Sequence, residues 1–146
     1  MAQAQRSVVV NVPPEKFFGV ISDFGSYSAF IPEMRSARVL ENRGNVKRVA
    51  FEIELAVLAF KKKIHYTLEF TESPPAGVRW RLLESDLLKG NDGSWSLRDL
   101  GGGRTEATYQ IELKLGPFVP GAVNTFLAEQ SLPKMLDQFK NRAESL

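Results

Sequence analysis

The stretch TEATYQIELKL, residues 105–115, alternates without a break: Ala107, Tyr109, Ile111, Leu113 and Leu115 fall on one side, Glu106, Thr108, Gln110, Glu112 and Lys114 on the other. Successive side chains of an extended chain point to opposite faces, so a period of two marks a strand with one dry face and one wet face. The same period recurs upstream, in Phe51, Ile53 and Leu55 against Glu52 and Glu54, and in Ile64, Tyr66, Leu68 and Phe70 against Lys63, His65, Thr67 and Glu69. Val78, Trp80 and Leu82 against Arg79 and Arg81 repeat it once more. Turn-forming clusters divide these runs at residues 42–45 (NRGN), 73–77 (SPPAG), 89–93 (KGNDG) and 101–103 (GGG). Their spacing predicts consecutive antiparallel hairpins, a meander of six strands between about residues 35 and 115.

Toward the N-terminus, RSVVVNV at residues 6–12 is rich in β-branched side chains and stops at Pro13-Pro14, where a proline opens a helix at no hydrogen-bond cost. This run is expected to complete the sheet. Residues 15–23 (EKFFGVISD) place Phe17, Phe18, Val20 and Ile21 on one helical face, and residues 24–34 (FGSYSAFIPEM) predict a second short helix closed before Pro32. After Gly116-Pro117 and Pro120-Gly121 the period returns to 3.6 over residues 122–145, with Val123, Phe126, Leu127, Gln130, Leu136, Phe139 and Ala143 as the inward stripe. Pro133 lies inside this helix and predicts a bend or a division there, because proline lacks an N–H and crowds the preceding turn.

An antiparallel sheet with one apolar face needs a cover, and the C-terminal helix is the only large one available. The expected fold class is therefore α+β: a curved antiparallel sheet of about seven strands wrapped around a long C-terminal helix, with two short helices after the first strand. Large inward aromatics that cannot all interdigitate imply a hydrophobic pocket between sheet and helix.

Bulk properties narrow the function. A chain of 146 residues, 43% hydrophobic and 25% charged, fits one globular domain over residues 1–146. Nineteen basic against 17 acidic residues leave a net charge of +2, so no nucleic-acid partner is expected. The absence of cysteine excludes disulfides, thiolate metal sites and cysteine nucleophiles, and with His65 as the single histidine neither a metal nor a cofactor is expected. Residues 1–6 lack the apolar core of a signal peptide, and the longest apolar run falls short of the roughly 20 residues that cross a bilayer. The expected location is cytoplasmic.

On this register the inward sheet positions are Phe51, Ile53, Leu55, Tyr66, Leu68, Trp80, Leu82, Trp95, Leu97, Tyr109, Ile111 and Leu113, and none is a general base near neutral pH. His65 falls on the outward face, so no catalytic residue is assigned. The candidate ligand-binding residues are Phe51, Ile53, Leu55, Tyr66, Leu68, Trp80, Trp95, Tyr109, Ile111 and Leu113 from the sheet, with Phe126 and Gln130 from the helix. Tyr66, Tyr109 and Gln130 carry the polar groups able to orient a quinone or carbonyl oxygen. Gly101-Gly102-Gly103 is read as a hairpin tip and not a phosphate loop, because a strand follows it.

Residues 58–63 (LAFKKK) break the alternation, which restarts at Ile64 and predicts a turn. Leu58 and Phe60 beside Lys61, Lys62 and Lys63 support two readings. They form a lip that leans transiently on a membrane surface or a partner, or the apolar pair tucks over the pocket and the lysines are solvated.

The order of elements, VVVNVPPEKFFGVISDFGSYSAFIPEM near the start, GSWSLRDLGGGRTEATYQIELKL late in the sheet and FLAEQSLPKMLDQFKNRAE at the end together carry a family resemblance. Its motifs are Asp23, Tyr27, Phe30 and Pro32 in the helix turn, Gly93 and Trp95 in one strand, and Gly103 and Thr105 at the start of another. The chain resembles a polyketide cyclase/dehydrase-type member of the START-like (Bet v 1-like, SRPBCC) superfamily, with the coenzyme Q-binding Coq10 and RatA group as near relatives. The resemblance implies a START-like helix-grip domain that binds or transports a lipid, quinone or polyketide-like molecule between sheet and helix. It also admits a cyclase or dehydratase acting in the same cavity and, through the RatA-like relatives, a macromolecule-binding protein.

Overall fold

The computed structural model describes residues 2–57, 60–117 and 119–146. Its strands are β1 Ala2–Val10, β2 Met34–Arg43, β3 Val46–Val57, β4 Phe60–Ser73, β5 Gly77–Ser85, β6 Leu88–Gly101 and β7 Arg104–Leu115. They form one seven-stranded antiparallel sheet in the order β1-β7-β6-β5-β4-β3-β2, so the six-strand meander is closed by the first strand pairing with the last. Helix α1 (Pro14–Ile21) and the short α2 (Tyr27–Phe30), separated by a 3₁₀ turn at Phe24–Ser26, follow β1. The C-terminal cover consists of α3 (Gly121–Phe126), a π-helical turn at Leu127–Ser131 and α4 (Leu132–Ser145). Among the described residues, no helix is long and apolar enough to cross a membrane.

The alternation seen in the sequence sets the faces. Val49, Phe51 and Leu55 of β3, Ile64, Leu68 and Phe70 of β4, Val78 and Trp80 of β5, Trp95 of β6 and Ala107 and Tyr109 of β7 are buried on the concave side. Their neighbours along each strand are largely exposed. The β6–β7 turn is made by Gly101, Gly102 and Gly103, all with positive φ (79°, 66° and 76°), a run that side chains bearing a Cβ rarely adopt. Two hydrogen bonds pin the corner after β1: Thr105 Oγ1 donates to the Val12 carbonyl at 2.8 Å, and the buried Tyr27 hydroxyl donates to the Ile21 carbonyl.

Helix α4 closes the concave face through Phe139. Its ring meets Trp95 (5.3 Å between centroids), Tyr27 (5.1 Å) and Phe30 (5.1 Å), each edge to face. Phe17 of α1 packs on Trp95 from the same side, and Phe24 stacks on Phe70 at 4.1 Å.

The structure corrects three sequence readings. Residues 89–93 lie within β6, not in a turn; the turn between β5 and β6 falls at residues 86–87. Gly90 and Gly93 serve the strand, the first beside a register shift between Leu88 and Gly90, the second by leaving room for a neighbouring indole. The β3–β4 turn is shorter than expected, because Phe60, Lys61, Lys62 and Lys63 already belong to β4 and pair in unbroken register with Val57, Ala56, Leu55 and Glu54. Leu58 lies outside the described residues.

The third concerns Gln130, which is exposed and not part of the inward stripe. Pro133 has no N–H to give the preceding turn, and the helix accommodates it with a wide turn in which the Leu132 N–H bonds to the Leu127 carbonyl, five residues back. A wider turn advances the inward position by one, so Ser131 takes the place that a 3.6 period assigns to Gln130. The bend expected at Pro133 is thus a division by a π turn.

Phe139→Ala removes the side chain on which the sheet and α2 converge. It is expected to cost about 3–5 kcal/mol, measured as a lower denaturation midpoint in urea.

Candidate functional site

Between the concave sheet and the C-terminal cover lies a cavity of about 180 Å³. It is larger than the roughly 150 Å³ apolar cavities that take up benzene, and smaller than the sites of drug-sized ligands. Ten sheet residues singled out in the sequence line it: Phe51, Ile53, Leu55, Tyr66, Leu68, Trp80, Trp95, Tyr109, Ile111 and Leu113. Phe126 does not reach it; this side chain packs instead on the cluster of Leu55, Ile64, Leu88 and Val123 at the end of the sheet near the β3–β4 hairpin. Gln130 points to solvent. The cover contributes Leu127, Ser131, Leu132, Met135 and Phe139, and the N-terminal helices Tyr27 and Ile31.

The lining contains no Asp, Glu, Lys, Arg or His among the described residues. The carboxylate buried on the concave side, that of Glu72, sits outside the cavity and is held by Lys47 at 2.6 Å. The polar atoms that do face the cavity are neutral. Burial pushes the Tyr66 phenol well above the usual tyrosine range. Burial and the nearby Tyr66 do the same to Tyr109. Both therefore carry their protons at any physiological pH. Neither hydroxyl has a hydrogen-bond partner among the described residues, whereas Tyr27 spends its own on Ile21.

Sequence reasoning missed Asn91, buried and facing the cavity from β6. Its Oδ1 accepts from Trp80 Nε1 at 3.0 Å. The position was hidden because KGNDG has the composition of a turn; the signal that could have revealed it is the parity of Asn91, Gly93 and Trp95 along one strand. Gly93 makes room for the same indole. A Cβ there would come within 2.3 Å of the Trp80 ring and 2.6 Å of the Gln110 carbonyl.

The stretch at residues 58–63 is divided by the sheet. Phe60 is half-buried against the Leu55 and Ile64 cluster. Lys62 shares the concave side with Leu55 at the sheet's end, while Lys61 and Lys63 face outward. All three lysines are exposed.

On the convex face His65 is clamped between two carboxylates, Nε2 to Glu52 Oε1 at 2.6 Å and Nδ1 to Asp86 Oδ2 at 3.2 Å. Hydrogen bonds to Asp86 and then Glu52 raise its pKa. The carboxylates flank opposite ring nitrogens and do not converge, and among the described residues no cluster suits a metal ion. A wider hollow of about 850 Å³ on the same face, near the parting of β5 and β6, is lined by Arg79, Arg81, Asp92 and Gln110 and is open to water.

A family model described as "Polyketide cyclase / dehydrase and lipid transport" matches residues 10–140. No curated protein matches the sequence. Among solved structures, a START superfamily protein from Mycobacterium smegmatis is similar at a TM-score of 0.85 with 17% identity, 99% of each chain being covered. A protein from Thermus thermophilus is similar at 0.83 with 17% identity, covering 98% of this chain and 97% of that one. The Zhui aromatase/cyclase from Streptomyces sp. R1128 is similar at 0.69 with 18% identity, covering 98% of this chain and 86% of that one. At these identities the likeness is one of fold.

Two outcomes are expected. Gly93→Ala drives a methyl group into the Trp80 ring and the Gln110 carbonyl, and should lower stability by about 1–3 kcal/mol, read from thermal or urea unfolding. For His65, a folded pKa raised above the unfolded value contributes stability that is fully present below about pH 6.5 and is lost as pH rises through the folded pKa. Melting temperatures of the parent protein and His65→Gln should therefore differ most near pH 5.5 and converge by pH 9; a constant gap would show that His65 acts only through packing.

Proposed function

The chain belongs to the polyketide cyclase / dehydrase and lipid transport family, and from that premise we propose that it reversibly binds a neutral, mainly apolar small molecule in the cavity between sheet and C-terminal helix. The observation that carries this reading is the cavity itself: a partly open space of about 180 Å³, walled by apolar and aromatic side chains, with neutral hydrogen-bonding groups and, among the described residues, no charge. A bare carboxylate or ammonium would find no counter-charge there, and burying one unpaired is costly. A molecule of one or two rings fills such a volume, as benzene fills cavities of about 150 Å³. Phe51, Trp80, Trp95 and Tyr109 would pack on the rings, and the Tyr66 and Tyr109 hydroxyls would meet its polar atoms. Lys61, Lys62 and Lys63, exposed beside the end of the sheet, support a transient approach to an anionic membrane surface during exchange.

A second reading, cyclisation or dehydration in the same cavity, draws support from the first half of the family description and from the aromatase/cyclase likeness. It needs a group that exchanges protons near neutral pH. The titratable groups facing the cavity are phenols held above their ordinary range, which favours binding over turnover.

Native mass spectrometry of the protein after exposure to a cell lipid extract tests the binding reading. A retained small molecule is expected with the parent protein and should be lost in both Tyr109→Trp and Leu113→Trp, which fill the cavity. Equal retention by all three places binding elsewhere, and no retention by any removes the main support for a carrier.

A further inference from the structure

Asn91 differs from the Tyr66 and Tyr109 hydroxyls in having its orientation decided by a hydrogen bond to a neighbouring side chain. Residue 91 is 6% exposed and lies on the concave face of β6, between the register shift at Leu88/Gly90 and Gly93. Beyond the four pairs Gly77↔Ser96, Val78↔Trp95, Arg79↔Ser94 and Trp80↔Gly93, strands β5 and β6 part. The bond from Trp80 Nε1 to Asn91 Oδ1, 3.0 Å long, crosses that gap.

An indole N–H can only donate, so the atom of the amide that faces it must be the oxygen. The amide cannot flip without setting two donors against each other in a buried place. Its Nδ2 is consequently left with two N–H donors and, among the described residues, no acceptor for either. The indole is held in turn, its ring 5.3 Å from Tyr109 and 5.8 Å from Phe70, above a glycine that leaves it no alternative seat.

We infer that Asn91 is the specificity-determining residue of the cavity, an obligate donor that selects ligands presenting a carbonyl oxygen. The inference rests on the binding reading above and narrows it from neutral apolar molecules to neutral ketones, with the hydrocarbon of the same shape discriminated against. Tyr66 and Tyr109 also favour an acceptor over a hydrocarbon, but a hydroxyl rotor donates or accepts as the ligand requires and so does not choose a carbonyl over a donor group. Asn91 donates only. A ligand without an acceptor at that point strands both N–H groups, and the unmade bonds are what reject it.

The test uses an isosteric pair, 1-tetralone and tetralin, titrated into the ¹⁵N-labelled protein and followed by NMR, with the Asn91 side-chain amide assigned. Tetralone should bind on the order of tenfold more tightly than tetralin, and its binding alone should move the Asn91 NH₂ resonances downfield. Asn91→Leu should lower the ratio of affinities several-fold while tetralin still binds. Trp80→Phe, which keeps a ring over Gly93 but frees the amide to turn, should lower the ratio even if Asn91→Leu fails to fold. Equal affinities in the parent protein, or an undiminished preference in either variant, overturns the assignment and leaves the cavity reading standing. Binding of neither compound overturns both.

Discussion

The rings that meet at Phe139 are the contact on which the rest depends. A seven-stranded sheet with a continuous apolar face is unstable until something covers it, and α4 does so by setting one phenylalanine edge-on against Trp95, Tyr27 and Phe30. Rings at right angles fill space well, and at that end they bring α4, the sheet and the N-terminal helices together. Toward the β3–β4 hairpin the inward residues become aliphatic and the cover changes from α4 to the π turn and α3. The cavity lies where those two regimes meet.

The π turn and the cavity have a common origin in Pro133. A regular helix through this point would leave the carbonyl four residues earlier without a donor and in collision with the ring. Widening the turn relieves the collision, and it also rotates the chain so that Ser131, not Gln130, looks inward. The cover therefore presents a small hydroxyl where a long amide would have filled the space.

Strands whose alternation is regular could be read directly: the faces of β3, β4 and β7, the closure by β1 and the glycine tip at residues 101–103 all follow from period two and turn chemistry. The same parity placed ten of the cavity's wall residues. What escaped was set by geometry that no local pattern encodes. KGNDG looks like a turn because glycine and asparagine are turn residues, yet here one glycine yields to an indole from the next strand and the asparagine answers that indole's N–H. The Gln130 position failed for a related reason: a helical period holds only while the helix stays α. Both misses sit at the cavity, where local preference is overridden to leave space and a directed polar group.

The absence of charged groups among the described residues of the cavity wall has a consequence for how any cargo would leave. Carriers whose sites hold a salt bridge can be emptied by acidification or by ionic strength. Here the phenols and the amide keep the same form across the physiological range, and the clamped histidine that does titrate stands on the opposite face of the sheet. Occupancy would then follow the partition of the molecule between this interior and other apolar phases nearby. Loading and unloading become a matter of which compartment dissolves the cargo better, a gradient of solubility in place of a chemical trigger.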